Sequence, residues 1–179
     1  MDAMRDPRHN VPSCTEESIV KPMLSRLPAI FLICAAVFAA PVLAADASVD
    51  ARLKASGIPF EVDGDGDYKV TYSYTEDNRT QLVFVSGRTE QVGGIEVREI
   101  FSPAARVAAD SIDGAKALAL LAESRTKKIG GWELSGDVLY FVIKLPDTVD
   151  AAGLEAAMDI AAETADNKEL ELSGDKDDL

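Results

Sequence analysis

The chain has 179 residues and a formal net charge of −13, with 18 lysines and arginines against 31 aspartates and glutamates. That balance argues against polyanionic partners, so neither nucleic acid nor an anionic lipid surface is expected. Its one histidine and two cysteines are His9, Cys14 and Cys34, all before Ala45. Beyond that point Ser-His-Asp and Cys-His catalysis, thiolate or imidazole zinc sites, iron–sulfur clusters and redox dithiols are excluded for want of side chains.

Residues 1–22 show no apolar periodicity, carry Pro7, Pro12 and Pro22, and set four acidic against three basic groups. Nothing there builds a core, and the stretch reads as an upstream extension with Met23 as the true start. From Met23 the character changes. Arg26 supplies a positive charge, Leu27 to Ala40 is wholly apolar, and Val42-Leu43-Ala44 precedes Ala45. Residues 23–44 therefore read as a secretory signal peptide cleaved after Ala44, which sends the product to the periplasm or the exterior. The rival is an uncleaved anchor, since Leu27 to Ala45 approaches the ~20 residues a membrane span needs. Pro28, Pro41 and the alanine content make it the poorer reading, and only this leader would contact a membrane. Cys34 follows Ile33, which argues against a lipoprotein. Removing 44 residues from 179 leaves 135, one domain's length and enough to bury a core without disulfides.

In the mature chain, Ser48 to Ala55 suits a short helix capped by Ser48 and ended by Gly57. Ile58 to Val62 reads as a strand, Asp63-Gly64-Asp65-Gly66-Asp67 as a turn, and Tyr68 to Tyr74 as the second arm of a hairpin. Glu76-Asp77-Asn78 turns the chain into a strand around Leu82 and Phe84, and Gly93-Gly94 precedes another at Ile95. In that strand Ile95 and Val97 fall on one face and Ile100 on the other, which predicts a bulge or an end near Glu99. Ser102-Pro103 looks like a helix start, giving a short helical segment over Pro103 to Ala109. Asp113 caps a longer helix running to Lys128, and Gly130-Gly131 ends it. Trp132 to Leu134, a Ser135-Gly136-Asp137 turn and Val138 to Leu145 form a second hairpin. Asp147 or Asp150 caps a last helix with Leu154, Ala157, Met158, Ala161 and Ala165 on one stripe. Residues 173–179 are expected to be an acidic disordered tail.

The order α-β-β-β-β-α-β-β-α is grouped rather than alternating, which predicts an α+β domain over residues 45–172, mostly antiparallel, with helices on one face of the sheet. Leu82-Val83-Phe84-Val85 and Val138 to Ile143 are apolar at consecutive positions, so both faces of those strands want cover. The face the helices leave bare is expected to meet a second copy of the chain or another protein, unless loops and the termini shield it.

Asp63, Asp65 and Asp67 alternate as in the opening of a calcium loop. Tyr68 then stands where the sharp turn needs glycine and Tyr74 where a closing glutamate belongs, so a solvated hairpin turn is the better reading and no metal or other cofactor is expected. No GxSxG or SxxK accompanies the many carboxylates, and no catalytic residue is assigned. Tyr72, Phe84 and Trp132 are the residues expected at a partner surface or, on a ligand-sensor reading, around an apolar pocket. A carboxylate-dependent or metal-dependent enzyme is the remaining alternative.

The segments Ile58 to Val85, Ile95 to Ala104, Lys128 to Leu134 and the closing strand with its helix resemble the bacterial YbjN-like domain, over roughly Leu53 to Leu172. The resemblance implies a fold similar to type III secretion chaperones, which often dimerise and bind protein segments. It also implies a role as a regulator of sensory transduction, without catalytic residues to carry over. Export sets this chain apart from the cytoplasmic chaperones.

Overall fold

The computed structural model describes residues 46–75, 78–174, 177 and 179. The upstream extension, the leader and its cleavage point lie outside the described residues. So do Glu76 and Asp77 and, in the acidic tail, Asp175, Lys176 and Asp178.

The described chain runs α1 (Ala47–Ala55), β1 (Glu61–Val62), β2 (Tyr68–Tyr74), β3 (Arg79–Val85), β4 (Glu90–Val92), β5 (Ile95–Arg106), α2 (Gly114–Ser124), β6 (Gly131–Ser135), β7 (Val138–Pro146) and α3 (Ala151–Ser173). The strands form one seven-stranded sheet in the order β1-β2-β3-β5-β7-β6, with β4 pairing β5 off that path. Every described pairing is antiparallel. The α+β class and the expected order hold with one addition, β4. It folds back on β5 through the Gly93-Gly94 turn, where both residues have positive φ (59° and 87°) that glycine adopts freely.

Helix α3 lies across β3, β5 and β7 and buries Leu154, Ala157, Met158, Ala161, Ala162 and Ala165 against Val83, Ile100, Phe141 and Ile143. Small side chains on that stripe let the helix approach the sheet closely. Val49 and Leu53 of α1 and Tyr68 of β2 complete one end of the core.

The caps refine the helix limits. Asp46, not Ser48, caps α1, its Oδ1 accepting from Ser48 N at 2.7 Å. Asp113 caps α2 through Lys116 N at 2.9 Å, and Asp150 caps α3 through Gly153 N at 2.8 Å. Helix α2 stops at Ser124, short of Lys128. There Ser124 Oγ donates to Leu120 O at 3.0 Å and accepts from Trp132 N at 2.9 Å, pulling the chain round into β6.

The largest departure from expectation lies in β5. No bulge occurs at Glu99 and no helix starts at Pro103: the strand continues to Arg106, with its irregularity between Pro103 and Ala105. Alternation is unbroken up to there, Arg98, Ile100 and Ser102 facing the helices and Val97, Glu99 and Phe101 facing away. The phase break read from the sequence is an arginine on the core side. Arg98 is 2% exposed, donates from Nε to Asp147 Oδ1 at 2.6 Å, and also reaches Asp46 and the Ser86 carbonyl. Proline is tolerated inside the sheet because the described backbone pairing of β3 with β5 is limited to Phe84–Phe101 and Val85–Ile100. Past that point side chains bridge the gap. Gln81 Nε2 donates to Ser102 Oγ (2.8 Å) and Pro103 O (2.7 Å), and Ser102 Oγ donates to Leu82 O (2.6 Å).

At the tail, α3 extends through Ser173, and Asp177 accepts from Thr80 N.

Candidate functional site

With the helices on one side, the other face of the sheet carries a row of aromatic side chains across three adjacent strands. Phe84 of β3 stacks on Phe101 of β5, centroids 5.2 Å apart and planes 8° from parallel. Tyr140 of β7 meets Phe101 edge-on at 5.7 Å. All three rings are half-buried and lie outside the core cluster, and no described helix packs over them. Leu82 and the buried Val142 flank the row, while Glu99 stands between Phe101 and Val97 on the same face.

The rim is charged and locally balanced. Lys144 Nζ reaches Glu133 Oε1 at 2.7 Å and Glu99 Oε1 at 3.4 Å, tying β6, β7 and β5 together across this face. The hydrogen bond to Glu133 raises the Lys144 pKa, against partial burial, and the Glu99 charge adds to it. Two concavities meet here, sharing Glu99 and Phe101. One of about 700 Å³ runs past Arg88, Glu90 and Val97, and one of about 370 Å³ runs past Glu133, Tyr140 and Val142. Chemically, the face offers ring surfaces for stacking, aliphatic area, and a cation fixed between two carboxylates.

The structure separates the three residues expected at a partner or pocket surface. Phe84 is on the open face. Tyr72 is on the helix side, its hydroxyl donating to Asp159 Oδ1 at 2.9 Å. Burial first, and then that carboxylate, push the Tyr72 pKa far up. Trp132 is also on the helix side, edge-on to Phe141 at 5.2 Å with Lys168 Nζ 5.8 Å from its ring centre. Tyr72 and Trp132 line separate concavities, and Phe84 lines neither.

Asp63, Asp65 and Asp67 occupy the expected hairpin turn. Asp63 Oδ1 accepts from Asp65 N at 2.9 Å and Asp67 N at 3.0 Å, while Asp67 Oδ1 accepts from Gly87 N at 2.9 Å. Asp63 thus serves the turn's own backbone and Asp67 ties the turn to the chain after β3, and the described residues hold no cluster of three metal-ligating groups.

Sequence reasoning missed Phe101, Tyr140 and Lys144. Simple alternation carried from Ile95 through Val97 and Glu99 reaches Phe101, but reading a bulge at Glu99 hid it. No described helix is long and apolar enough to cross a membrane. No protein-family model matches the chain, and no curated protein matches it in sequence.

Proposed function

We propose that the mature chain is an exported, non-catalytic protein-binding module that docks another protein on its open aromatic face, with an adaptor or regulatory role. The observation that carries this reading is the row Phe84–Phe101–Tyr140, a chain of touching rings that no described element covers. Rings fixed by cross-strand packing lose little freedom on binding, which suits them to anchor an interface. The lack of imidazole and thiol beyond Ala44 supports a binding role over the chemistries those groups perform. The segments resembling the YbjN-like domain support the same class of function, in the periplasm of a bacterium or outside the cell.

A photo-crosslinking amino acid placed at Tyr140 in the exporting cell tests it. A discrete adduct with another protein, absent when Phe101→Asp is added to a chain that still folds, is the expected result. No adduct, or adducts only with a second copy, would sink the reading. Small-ligand sensing is the second reading, favoured by the concavity of about 700 Å³ beside Phe101. Saturable binding of a small aromatic acid, lost with Phe101→Asp, would decide for it.

A further inference from the structure

Past Phe101 the open face deepens into the concavity of about 700 Å³, whose floor is the β4–β5 ribbon. Strands β3 and β4 pair the same edge of β5. Ser86 N donates to Glu99 O, and the next pair along that edge is Glu90 with Val97. Gly87, Arg88 and Thr89 therefore stand opposite Arg98 alone, and the surplus bulges out of the ladder, with Arg88 and Thr89 on the wall of the concavity. In the ribbon Glu90 lies opposite Val97 and Val92 opposite Ile95, which sets Glu90, Val92, Val97, Glu99 and Phe101 on one face.

The loop that carries Arg88 is braced. Ser86 Oγ donates to Arg88 O at 2.6 Å and accepts from Arg88 N at 3.2 Å. Gly87 N donates to Asp67 Oδ1 at 2.9 Å, which fastens the loop to the turn between β1 and β2. A backbone held in this way loses little freedom when a ligand arrives.

Five charged side chains line the concavity: Asp67, Arg88, Glu90, Glu99 and Lys144. Three of them are engaged. Lys144 bridges Glu99 and Glu133, and Asp67 holds Gly87. Arg88 and Glu90 are exposed, and among the described residues neither side chain pairs with the other or with any third group. Acidic groups outnumber basic ones by 31 to 18 in the chain, so this arginine does not lack a carboxylate for want of candidates. One cation and one anion thus stand unspent over an apolar floor of Val92, Val97 and Phe101.

We propose that the concavity binds a small zwitterion with an apolar body, an α-amino acid or a peptide of two or three residues. Its carboxylate meets Arg88, its ammonium meets Glu90, and its side chain lies over Val97 and Phe101. The inference rests on the small-ligand reading of this concavity and names the ligand class; it is independent of what docks on the aromatic row. A plain anion would satisfy Arg88 and face Glu90 unanswered, and a plain cation would do the reverse. A neutral apolar molecule would meet neither charge. Both contacts are charge-assisted hydrogen bonds, the stronger kind, and the guanidinium fork can take a carboxylate through two N–H groups. The volume lies within the roughly 300–1,000 Å³ usual for small-molecule sites. An amino acid carries its two charges on one carbon, whereas a short peptide sets them further apart.

Isothermal titration calorimetry of the parent protein with phenylalanine and with leucyl-leucine, each also in its N-acetyl and its C-amide form, tests the proposal and tells the two sources apart. At least one unblocked compound binds saturably, and blocking either end weakens it about tenfold or more. Arg88→Gln makes binding indifferent to the amide block and Glu90→Gln makes it indifferent to the acetyl block. Both positions are exposed, so circular dichroism of the two variants should match the parent. An aromatic carboxylic acid that binds through Phe101 as tightly as the unblocked compounds would overturn the zwitterion and leave the small-ligand reading standing. Blocked ends that cost nothing, or losses in Arg88→Gln that are equal for free and amidated ligand, would overturn it too. No binding by any of these compounds would sink both.

Discussion

Asp147 Oδ1 accepts from Arg98 Nε at 2.6 Å and from Arg52 Nη2 at 2.8 Å, so one carboxylate just past β7 holds both β5 and α1. Arg98→Met removes the buried cation and leaves Asp147, Asp46 and the Ser86 carbonyl short of a partner. Urea denaturation should show a loss of about 3 kcal/mol, the range for breaking a buried pair from one side.

The same cluster sets acid stability. The Arg98 hydrogen bond holds Asp147 below the usual carboxylate range despite partial burial. For Asp46, burial pushes the other way, but the Ser48 N–H and Arg98 prevail and lower it as well. Both groups then contribute stability that is complete above about pH 4 and is lost as pH falls through their folded values. Acid unfolding followed by circular dichroism should be steeper for the parent than for Arg98→Met.

Gly87 lies where the Asp63–Asp67 turn crosses the chain after β3. A Cβ there would stand 2.0 Å from the Gly66 carbonyl oxygen, and backbone cannot step aside cheaply. Gly87→Ala is expected to cost about 2 kcal/mol or more in thermal denaturation. Gly64→Ala, in the same turn with nothing within 4 Å, should change stability by only about 0.5 kcal/mol.

Gln81 is 0% exposed, and its amide nitrogen faces Pro103 O while its Oε1 is buried without a partner among the described residues. Gln81→Glu would turn a charged acceptor toward a carbonyl. Gln81→Met only removes the donor. The first should cost about 3 kcal/mol and the second about 1 kcal/mol by chemical denaturation.

The architecture was readable because alternation and helical spacing are strong over Tyr68–Tyr74, Val138–Pro146 and Leu154–Ala165. Two things were not. Arg98 defeats any reading that equates the core face with apolar residues, since what makes its burial tolerable, Asp46 and Asp147, lies about fifty residues away on either side. Ser102-Pro103 has the local chemistry of a helix start, and only the opening of the β3–β5 ladder, a tertiary fact, allows a strand there. The open face was anticipated from the doubly apolar strands, but of the three aromatics expected on it, only Phe84 belongs to it.

The tyrosines on the helix side should titrate late. Burial, and then the Asp166 charge, push Tyr74 up to about 12, and Tyr72 lies higher still. Since an unfolded tyrosine ionises near 10, stability should begin to fall as pH rises past about 10 and go on falling until both Tyr74 and Tyr72 have ionised in the folded protein. Ultraviolet absorbance titration, run beside circular dichroism, checks both the late ionisation and the loss.

Asp46 stands at the very head of the described chain, yet it both caps α1 and reaches Arg98. Were a leader cleaved after Ala44, its maturation would have a narrow tolerance. A peptidase cutting after Ala44 spares this aspartate by a single residue, whereas an aminopeptidase that nibbled two further would unlatch the first helix and leave a buried guanidinium wanting. Amino-terminal trimming would then be a route to turnover.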